Sequence, residues 1–365
     1  MSDKLLRRVK EMMLTPALSG HEERMTAYMK RELAASSDHV ASDRLGNVIA
    51  RIDGKDSEAP RVMVFAHMDQ LGFIVRKVEP EGFLRVERLG GIPEKVLPGV
   101  RVWVEAEDGT QYPGLIAPKA HHITPAEEKY VVTPIGQLFI DIGFSSKQEV
   151  EELGIYPGCA VVYQPQFDEL LNDRFMGTSA DNRNGCAVIL ELADRFFAER
   201  PGPTVYIVGS VLEEFNLRGA MVAAQVIQPD IAISVDGGVG LSDTPDLANR
   251  TDGRMGAGPG ISKYNFHGRG TLNGTLPHPA ILRSFMESAR KSGIPFQRGA
   301  GIGGLTDLSY VQLVGKGVAA LDVGTGGRYA HSPVEMRELG DMRKTVDLLE
   351  AAIRPWGAEM TLLDR

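Results

Sequence analysis

The sequence predicts an α/β protein built on a mostly parallel sheet that helices cover, with an inserted all-β domain. From about residue 166 onward, helical patterns alternate with apolar strand patterns, which is typical of a parallel sheet covered on both faces. Between 68 and 165, short Val-rich runs are broken by Gly and Pro, with hardly a long helical pattern among them. The chain of 365 residues also exceeds what one hydrophobic core usually supports.

The first 67 residues begin the α/β part of the chain. Helical patterns in DKLLRRVKEMM and GHEERMTAYMKRELAA are followed by the strand patterns NVIARI and RVMVFA. We therefore expect residues 1–67 and 166–365 to form one α/β domain. Residues 68–165 are expected to form a separate, β-barrel-like insert.

Composition excludes several classes of protein. Hydrophobic residues make up 43% and charged residues 24%, which is near the average for folded domains. A formal charge of -8 without a basic stripe disfavours a nucleic-acid partner. The sequence contains no uninterrupted run of about 18 apolar residues that could span a membrane. Its N-terminal stretch lacks the apolar core of a secretory signal. Cys159 and Cys186 are expected to be buried thiols, so a cytoplasmic location is the simplest expectation.

Acidic residues and a histidine stand where three apolar strands end. RVMVFA runs out at His67 with Asp69 two residues on, TVYIVGSVL runs into Glu213 and Glu214, and DIAISV ends at Asp236. Open α/β sheets bind ligands at the carboxyl ends of their strands, so these segments are expected to meet.

Two further segments join this set. Asp181 directly precedes a helix start in TSADNRNG, and His331 follows the strand pattern VAALDV through a Gly-rich loop, in RYAHSPVE. Imidazole and carboxylate are ligands of zinc and similar ions, and no thiolate is offered. The five segments together predict a site for two divalent cations.

Charge counting separates the roles of the carboxylates. Two divalent cations carry four positive charges, and Asp181, Glu214 and Asp236 supply three negative ones, so a bound hydroxide would complete neutrality. Glu213 is left over and fits a general base. Asp69 fits the carboxylate that receives the other ring N–H of a metal-bound His67, because a two-residue offset on an extended chain places both side chains on one face.

Together these segments closely resemble the cobalt- or zinc-dependent aminopeptidases of the tetrahedral type. That family comprises glutamyl aminopeptidases, deblocking aminopeptidases and endoglucanase-like Frv proteins. The likeness covers nearly the whole chain through the motifs TPALSGHEE, AHMDQLGF, SADNRNG, LEEFNLRGA, SVDGG, GAGPGI, GGLTDLS and RYAHSPVE.

The resemblance implies a dimetal exopeptidase fold with two divalent metal ions per subunit, namely zinc, cobalt or manganese. It implies five ligands: His67 and Asp236 on one ion, Glu214 and His331 on the other, and Asp181 bridging both. Glu213 becomes the general base and Asp69 the partner of His67. We expect a hydroxide between the ions to attack the first peptide bond of peptides that carry a free N-terminus.

The resemblance further implies an assembly. The insert resembles the family's dimerisation domain, and family members commonly assemble dimers into hollow tetrahedral dodecamers. His121 and His122, in PKAHHITP, are expected in an exposed loop. Because family members carry a His near this position, a contribution to a neighbouring subunit's site stays open.

The chain departs from the family pattern around the ligands but keeps every direct ligand. Residues of another type occupy six positions: Gln70 replaces Glu, Asn182 replaces Asp, Phe215 and Asn216 replace Val-Gly, and Gly326 and Gly327 replace Pro-Thr. These departures concern the surroundings of the ligands and the pocket for the substrate's first side chain. The preferred N-terminal residue is therefore left open.

Three alternatives compete with the aminopeptidase. A dimetal carboxypeptidase or N-deacylase uses a similar ligand order but usually inserts an α/β lid between its last two ligands. A glycosidase needs two carboxylates flanking the sugar and no metal. A catalytically silent metal-binding assembly protein would be marked by the loss of Glu213 or Asp181, and both are present.

Overall fold

The computed structural model describes residues 3–247, 250–267 and 274–362. The α-helices are α1 (Lys4–Met13), α2 (Glu23–Ala34), α3 (Lys147–Glu152), α4 (Ala180–Ala198), α5 (Gly219–Ile227), α6 (Pro279–Lys291), α7 (Leu308–Val311) and α8 (Leu339–Ile353). The strands are β1 (His39–Ser42), β2 (Val48–Ile52), β3 (Val62–His67), β4 (Gly72–Val78), β5 (Leu84–Leu89), β6 (Arg101–Glu105), β7 (Gln111–Ile116), β8 (Ile140–Asp141), β9 (Ala160–Tyr163), β10 (Phe167–Glu169), β11 (Arg174–Gly177), β12 (Val205–Ser210), β13 (Ile231–Val235), β14 (Gly260–Phe266), β15 (Gly274–Thr275), β16 (Gln297–Ile302), β17 (Ala319–Gly324) and β18 (Glu335–Glu338).

The main sheet has the order β1-β2-β12-β3-β13-β17-β14-β15, with β16 paired to β14. Its four central strands, β12, β3, β13 and β17, are parallel, and its outer strands add antiparallel pairs. The predicted parallel sheet is therefore the centre of a mixed one. Parallel strands require a long crossover connection between them, and the antiparallel pairs at the margins do not.

Helices cover both faces of this sheet, as predicted. In β3, Val62 and Val64 face the cluster built by α1, α2, α4, α6 and α8, whereas Met63 and Phe65 face α5 and α7. Every residue of β3 is buried, since alternate side chains of a strand enter opposite apolar layers. This double covering explains why the central strands lack polar alternation.

The insert is a closed barrel with the order β4-β5-β8-β7-β6-β9. Its interior is filled by side chains such as Phe73, Val86, Val104 and Val161. The barrel strands lie within the 68–165 segment, which agrees with the all-β character predicted for it. The exact domain bounds and the dimerisation role stay predictions.

A small sheet and the thiols complete the fold. Strands β10, β11 and β18 form a three-stranded antiparallel sheet that pairs Gly177 with Glu335. Cys159 and Cys186 are free and buried, which confirms the prediction of two buried thiols. Among the helices of the described ranges, none combines the length and apolar character that crossing a membrane requires.

Candidate metal centre

Three neighbouring parallel strands bring the first predicted residues together. The register pairs Ser210 at the end of β12 with His67 at the end of β3, and β13 runs beside β3 and ends next to Asp236. Two residues separate the end of β12 from the Glu213 and Glu214 pair. Because all three strands run in the same direction, these side chains emerge at one edge of the sheet.

Asp181 lies between the two histidines. It sits in the first turn of α4, and its peptide bond to Asn182 is cis. One carboxylate oxygen, Oδ1, is 3.1 Å from His67 Nε2, and the other, Oδ2, is 3.9 Å from His331 Nε2. The two oxygens of this single carboxylate therefore face two different imidazoles.

Each histidine also faces a second carboxylate. His67 Nε2 is 3.9 Å from Asp236 Oδ2, and His331 Nε2 is 4.0 Å from Glu214 Oε1. Donor atoms of His67, Asp181 and Glu214 all lie within 4.8 Å of one another. Tetrahedral zinc with bonds of about 2.0–2.2 Å places its donors about 3.4 Å apart, so nitrogen and oxygen donors at these separations fit divalent cations.

The charge state of the centre reflects crowded carboxylates. Burial raises the pKa of Glu214 to about 8 and that of Asp236 to about 6, and the charge of Asp181 adds to both shifts. Burial would raise the pKa of Asp181 too, but the hydrogen bond with His67 lowers it below its usual range. Burial disfavours the charge on His67, yet the surrounding carboxylates hold its pKa well above the usual value. The cluster therefore gains from added positive charge, as a cation site does.

Asp69 has a second contact that the sequence pattern did not indicate. The carboxylate is fully buried, with Oδ1 at 3.4 Å from His67 Nδ1. It also accepts hydrogen bonds from the backbone N–H groups of Glu213 at 3.1 Å and Glu214 at 2.9 Å. Contacts with His67 and these N–H groups outweigh burial and lower the pKa of Asp69. One ionised carboxylate thus orients a histidine and the turn that carries both glutamates.

Two more buried glutamates, which the sequence did not single out, hold the backbone of the centre. Glu22 Oε1 accepts from Gly20 N at 2.8 Å and from Leu212 N at 3.1 Å. Glu335 accepts from Asp181 N at 2.7 Å through Oε2 and from His331 N at 2.8 Å through Oε1. The only available signal was their position inside the motifs SGHEE and SPVE, which says nothing about burial.

Several departures from the family pattern have a local explanation. Gln70 Oε1 accepts from Ala17 N and from the buried Arg183 guanidinium, each at 3.0 Å, so a neutral carbonyl oxygen fills this place. Asn182 donates to Val235 O at 2.9 Å. A Cβ at Gly327 would lie 1.2 Å from Arg337 Nη1, so a larger residue there would require the Arg337 side chain to move.

The remaining departures and the histidine pair lie elsewhere. A Cβ at Gly326 would lie 2.5 Å from a Leu241 methyl carbon. Phe215 is 47% exposed and stacks under the Arg218 guanidinium at 4.5 Å, while Asn216 has a left-handed φ of 75°. His121 and His122 lie in a short, exposed 3₁₀ helix and are not brought to the centre within this chain.

The comparisons with known proteins point to aminopeptidases. A family model described as M42 glutamyl aminopeptidase matches residues 46–348. The aminopeptidase-named relative SgcX of Escherichia coli is 37% identical over 335 residues. The match covers 92% of this chain and 89% of the relative.

Solved structures are similar along almost the whole chain. Aminopeptidase APDkam598 from the archaeon Desulfurococcus kamchatkensis superposes with a TM-score of 0.92 at 32% identity, covering 99% of this chain and 98% of the other. The TET1 peptidase of Pyrococcus horikoshii superposes with a TM-score of 0.83 at 29% identity, covering 96% and 99%.

Proposed function

Because the chain belongs to the M42 glutamyl aminopeptidase family, a family of peptide hydrolases, we propose that it removes the N-terminal residue of peptides with the help of two divalent cations. The observation that carries the proposal is the position of Asp181. Its two oxygens face His67 and His331 on opposite sides, which is the arrangement that a carboxylate shared by two cations requires.

In the proposed centre, two sets of donors meet at Asp181. His67, Asp236 and Asp181 Oδ1 would hold one cation, and His331, Glu214 and Asp181 Oδ2 the other. Oxygen and nitrogen donors without thiolate suit zinc, cobalt or manganese, and availability decides among them more than ligand type does. When bound, such a pair of ions polarises the scissile carbonyl and makes water a nucleophile at neutral pH.

Glu213 is proposed as the general base. It is 8% exposed and is not needed as a ligand in either set of donors. Burial raises the pKa of its carboxyl well above the usual range, and Glu214 adds to this shift while His67 opposes it. A carboxylate with raised basicity takes a proton from the attacking water and passes it to the departing amine. Asp69 assists by holding the backbone of Glu213 and by orienting His67.

Substrates are proposed to be peptides with a free N-terminus. A free α-amine would offer a nitrogen lone pair to one of the cations, whereas the nitrogen of an acylated terminus would not, which favours substrates with a free N-terminus. The same argument separates the proposal from an N-deacylase, which acts on the acylated form. Glu213 and Asp181 are both present, which argues against a silent metal-binding protein.

The test uses metal-free protein, reconstituted in turn with zinc, cobalt or manganese. A panel of aminoacyl anilides with acidic, basic and apolar side chains is compared with the N-acetylated form of each substrate. Hydrolysis of at least one free-amine substrate, lost on chelation and absent for its N-acetyl form, is expected. Cleavage of only the N-acetyl compounds would favour the deacylase, and no cleavage with any ion would favour the silent protein.

Assembly and location belong to the same proposal. We propose that residues 68–165 form a dimerisation domain and that the chain forms a homo-oligomer built from dimers, as a tetrahedral dodecamer. The TET1 peptidase of Pyrococcus horikoshii can assemble into a tetrahedron or a large octahedral shell, which supports an assembly of this kind. Light scattering on the purified chain measures the stoichiometry, and a monomer would contradict the proposal. The two free thiols favour a cytoplasmic location.

A further inference from the structure

The inserted barrel touches the candidate metal centre through a glycine pair. Strand β5 ends at Leu89, and Gly90 and Gly91 follow it. The carbonyl oxygen of Gly91 lies 2.9 Å from His331 Nδ1, although the two residues are 240 positions apart. A loop of the barrel therefore contacts a side chain of the α/β part that faces Asp181 and Glu214.

The glycines allow this close approach. Gly90 has a φ of +93°, and a Cβ there would lie 2.1 Å from a Leu71 methyl carbon and 3.3 Å from Glu214 Oε2. A Cβ at Gly91 would lie 3.1 Å from His331 Nδ1. The pair thus packs against the side chains of Glu214 and His331, both of which belong to the same proposed ligand set.

The surroundings restrain the ring of His331 less than that of His67, so the contact with Gly91 matters more for its orientation. The His67 side chain is 3% exposed and is enclosed by the sheet, whereas that of His331 is 39% exposed. His331 also has a left-handed φ of 67° in an irregular loop. The Gly91 carbonyl can only accept a hydrogen bond, so His331 Nδ1 carries the hydrogen and the lone pair stays on Nε2, toward Asp181 and Glu214.

The barrel loop is itself braced. Ile92 N donates to Gly90 O at 3.1 Å, and the Arg88 guanidinium donates to Ile92 O at 3.3 Å. Ile92 is 2% exposed and belongs to the barrel core. The position of the Gly91 carbonyl is therefore set by the packing of the barrel.

We propose that the Gly90–Gly91 turn is a positioning element for the second cation, so that the barrel completes a metal site whose ligands all come from the α/β part. This inference rests on the proposed function. The Gly91 carbonyl fixes the tautomer and the direction of the His331 ring, and the absent side chains leave room for Glu214 and His331. Partners of metal-bound histidines contribute about 10–100-fold to metal affinity.

The variant that tests the proposal is Gly91→Val. The backbone of Gly91 is not left-handed, so valine is tolerated there by the main chain and acts through its contact with His331. Gly136→Val is the matched control, because Gly136 lies in the same insert, is not left-handed and has open space at its Cβ position. Gly91→Ala is the milder second variant, since its Cβ requires a shift of only a few tenths of an ångström.

Calorimetric titration of zinc into metal-free protein measures both cation dissociation constants, and His331→Ala identifies which constant belongs to the second cation. Gly91→Val is expected to weaken binding of the second cation by about 10–100-fold. The dissociation constant of the other cation and the thermal midpoint of unfolding should stay unchanged. Gly91→Ala should show a smaller loss of affinity for the second cation, and Gly136→Val none. In a His331→Ala background, Gly91→Val should add no further loss, because it acts through the ring.

The inference would be overturned if Gly91→Val kept both wild-type zinc dissociation constants, or if it weakened the binding of both cations equally. A full additional loss of zinc affinity on top of that caused by His331→Ala would overturn it as well. Failure of the proposed function is recognised separately. In that case the wild-type protein itself binds no zinc or hydrolyses none of the aminoacyl anilides.

Discussion

Replacing Glu335 with glutamine is expected to loosen the candidate centre without removing any proposed ligand. The Glu335 carboxylate is 2% exposed and accepts one backbone N–H from Asp181 and one from His331. Glutamine has nearly the same shape, but its NH₂ group cannot accept a hydrogen bond. Whichever way the amide turns, one of the two N–H groups therefore loses its acceptor and faces a donor.

The expected size follows from these two contacts. A hydrogen bond to a charged group contributes about 1.5–3 kcal/mol, whereas one between neutral groups contributes about 0.5–1.5 kcal/mol. Removing a buried negative charge beside Asp181 offsets part of the loss, since burial and Asp181 raise the pKa of Glu335. We expect a net loss of about 2 kcal/mol in the free energy of unfolding, and cation binding weaker by about 10–100-fold.

Urea unfolding of the metal-free protein and zinc titration measure the two effects. Glu287→Gln is the control, because Glu287 lies on the exposed side of α6. The control should match the wild type in both assays. If Glu335→Gln kept the wild-type free energy of unfolding and both zinc constants, the carboxylate would not hold the two backbone segments as argued.

Three further variants or treatments test other parts of the centre. Glu213→Gln should keep both zinc constants and lose about 10²–10⁴-fold in kcat for aminoacyl-anilide hydrolysis; normal turnover would rule out Glu213 as the base. Burial, with the charge of Asp69, raises the pKa of Glu22 from 4.5 to about 7, so the stability that Glu22 contributes is present below about pH 4.5 and is lost as the pH rises through 7. Glu22→Gln keeps an oxygen for both N–H groups and should gain up to about 3 kcal/mol over the wild type in unfolding free energy between pH 4.5 and 8; parallel pH profiles would contradict this. Cys159 and Cys186 are buried, and burial raises the pKa of Cys186 to about 11, so neither thiol should react with Ellman's reagent before unfolding; fast reaction of the native protein would contradict the packing.

The ends of the central strands could be predicted because two simple patterns coincide there. A run of five buried, mostly apolar residues indicates a strand covered on both faces, and a polar residue directly after it lies at the carboxyl edge of the sheet. His67 and Asp236 satisfy both conditions, and β3 and β13 are neighbours in the parallel centre of the sheet. Parallel direction and adjacency together make the convergence of these side chains predictable.

The buried glutamates could not be predicted in the same way. Glu22 precedes a helix and Glu335 begins a short strand, and in both places a glutamate is ordinarily exposed. Their burial depends on partners far along the chain, such as the N–H of Leu212 for Glu22. Local patterns contain no information on such pairs.

The Gly90–Gly91 turn illustrates the same limit for glycine. A glycine pair after a strand indicates a turn, and the sequence offers no distinction between a free turn and one that packs against another domain. The contact with His331 arises because the barrel is positioned over the edge of the main sheet. Only the relative placement of the two parts gives these glycines their role.

The link between Asp181 and Glu335 also bears on biosynthesis. The N–H of Asp181 has its acceptor 154 residues later in the chain. At about 5–20 residues per second on the ribosome, that interval lasts about 8–30 s. During it the central strands β12, β13 and β17 are themselves made, and the backbone N–H of Asp181 still lacks its acceptor. We therefore expect a nascent chain to remain unable to cleave peptides until its last strand has been made and has paired with β11.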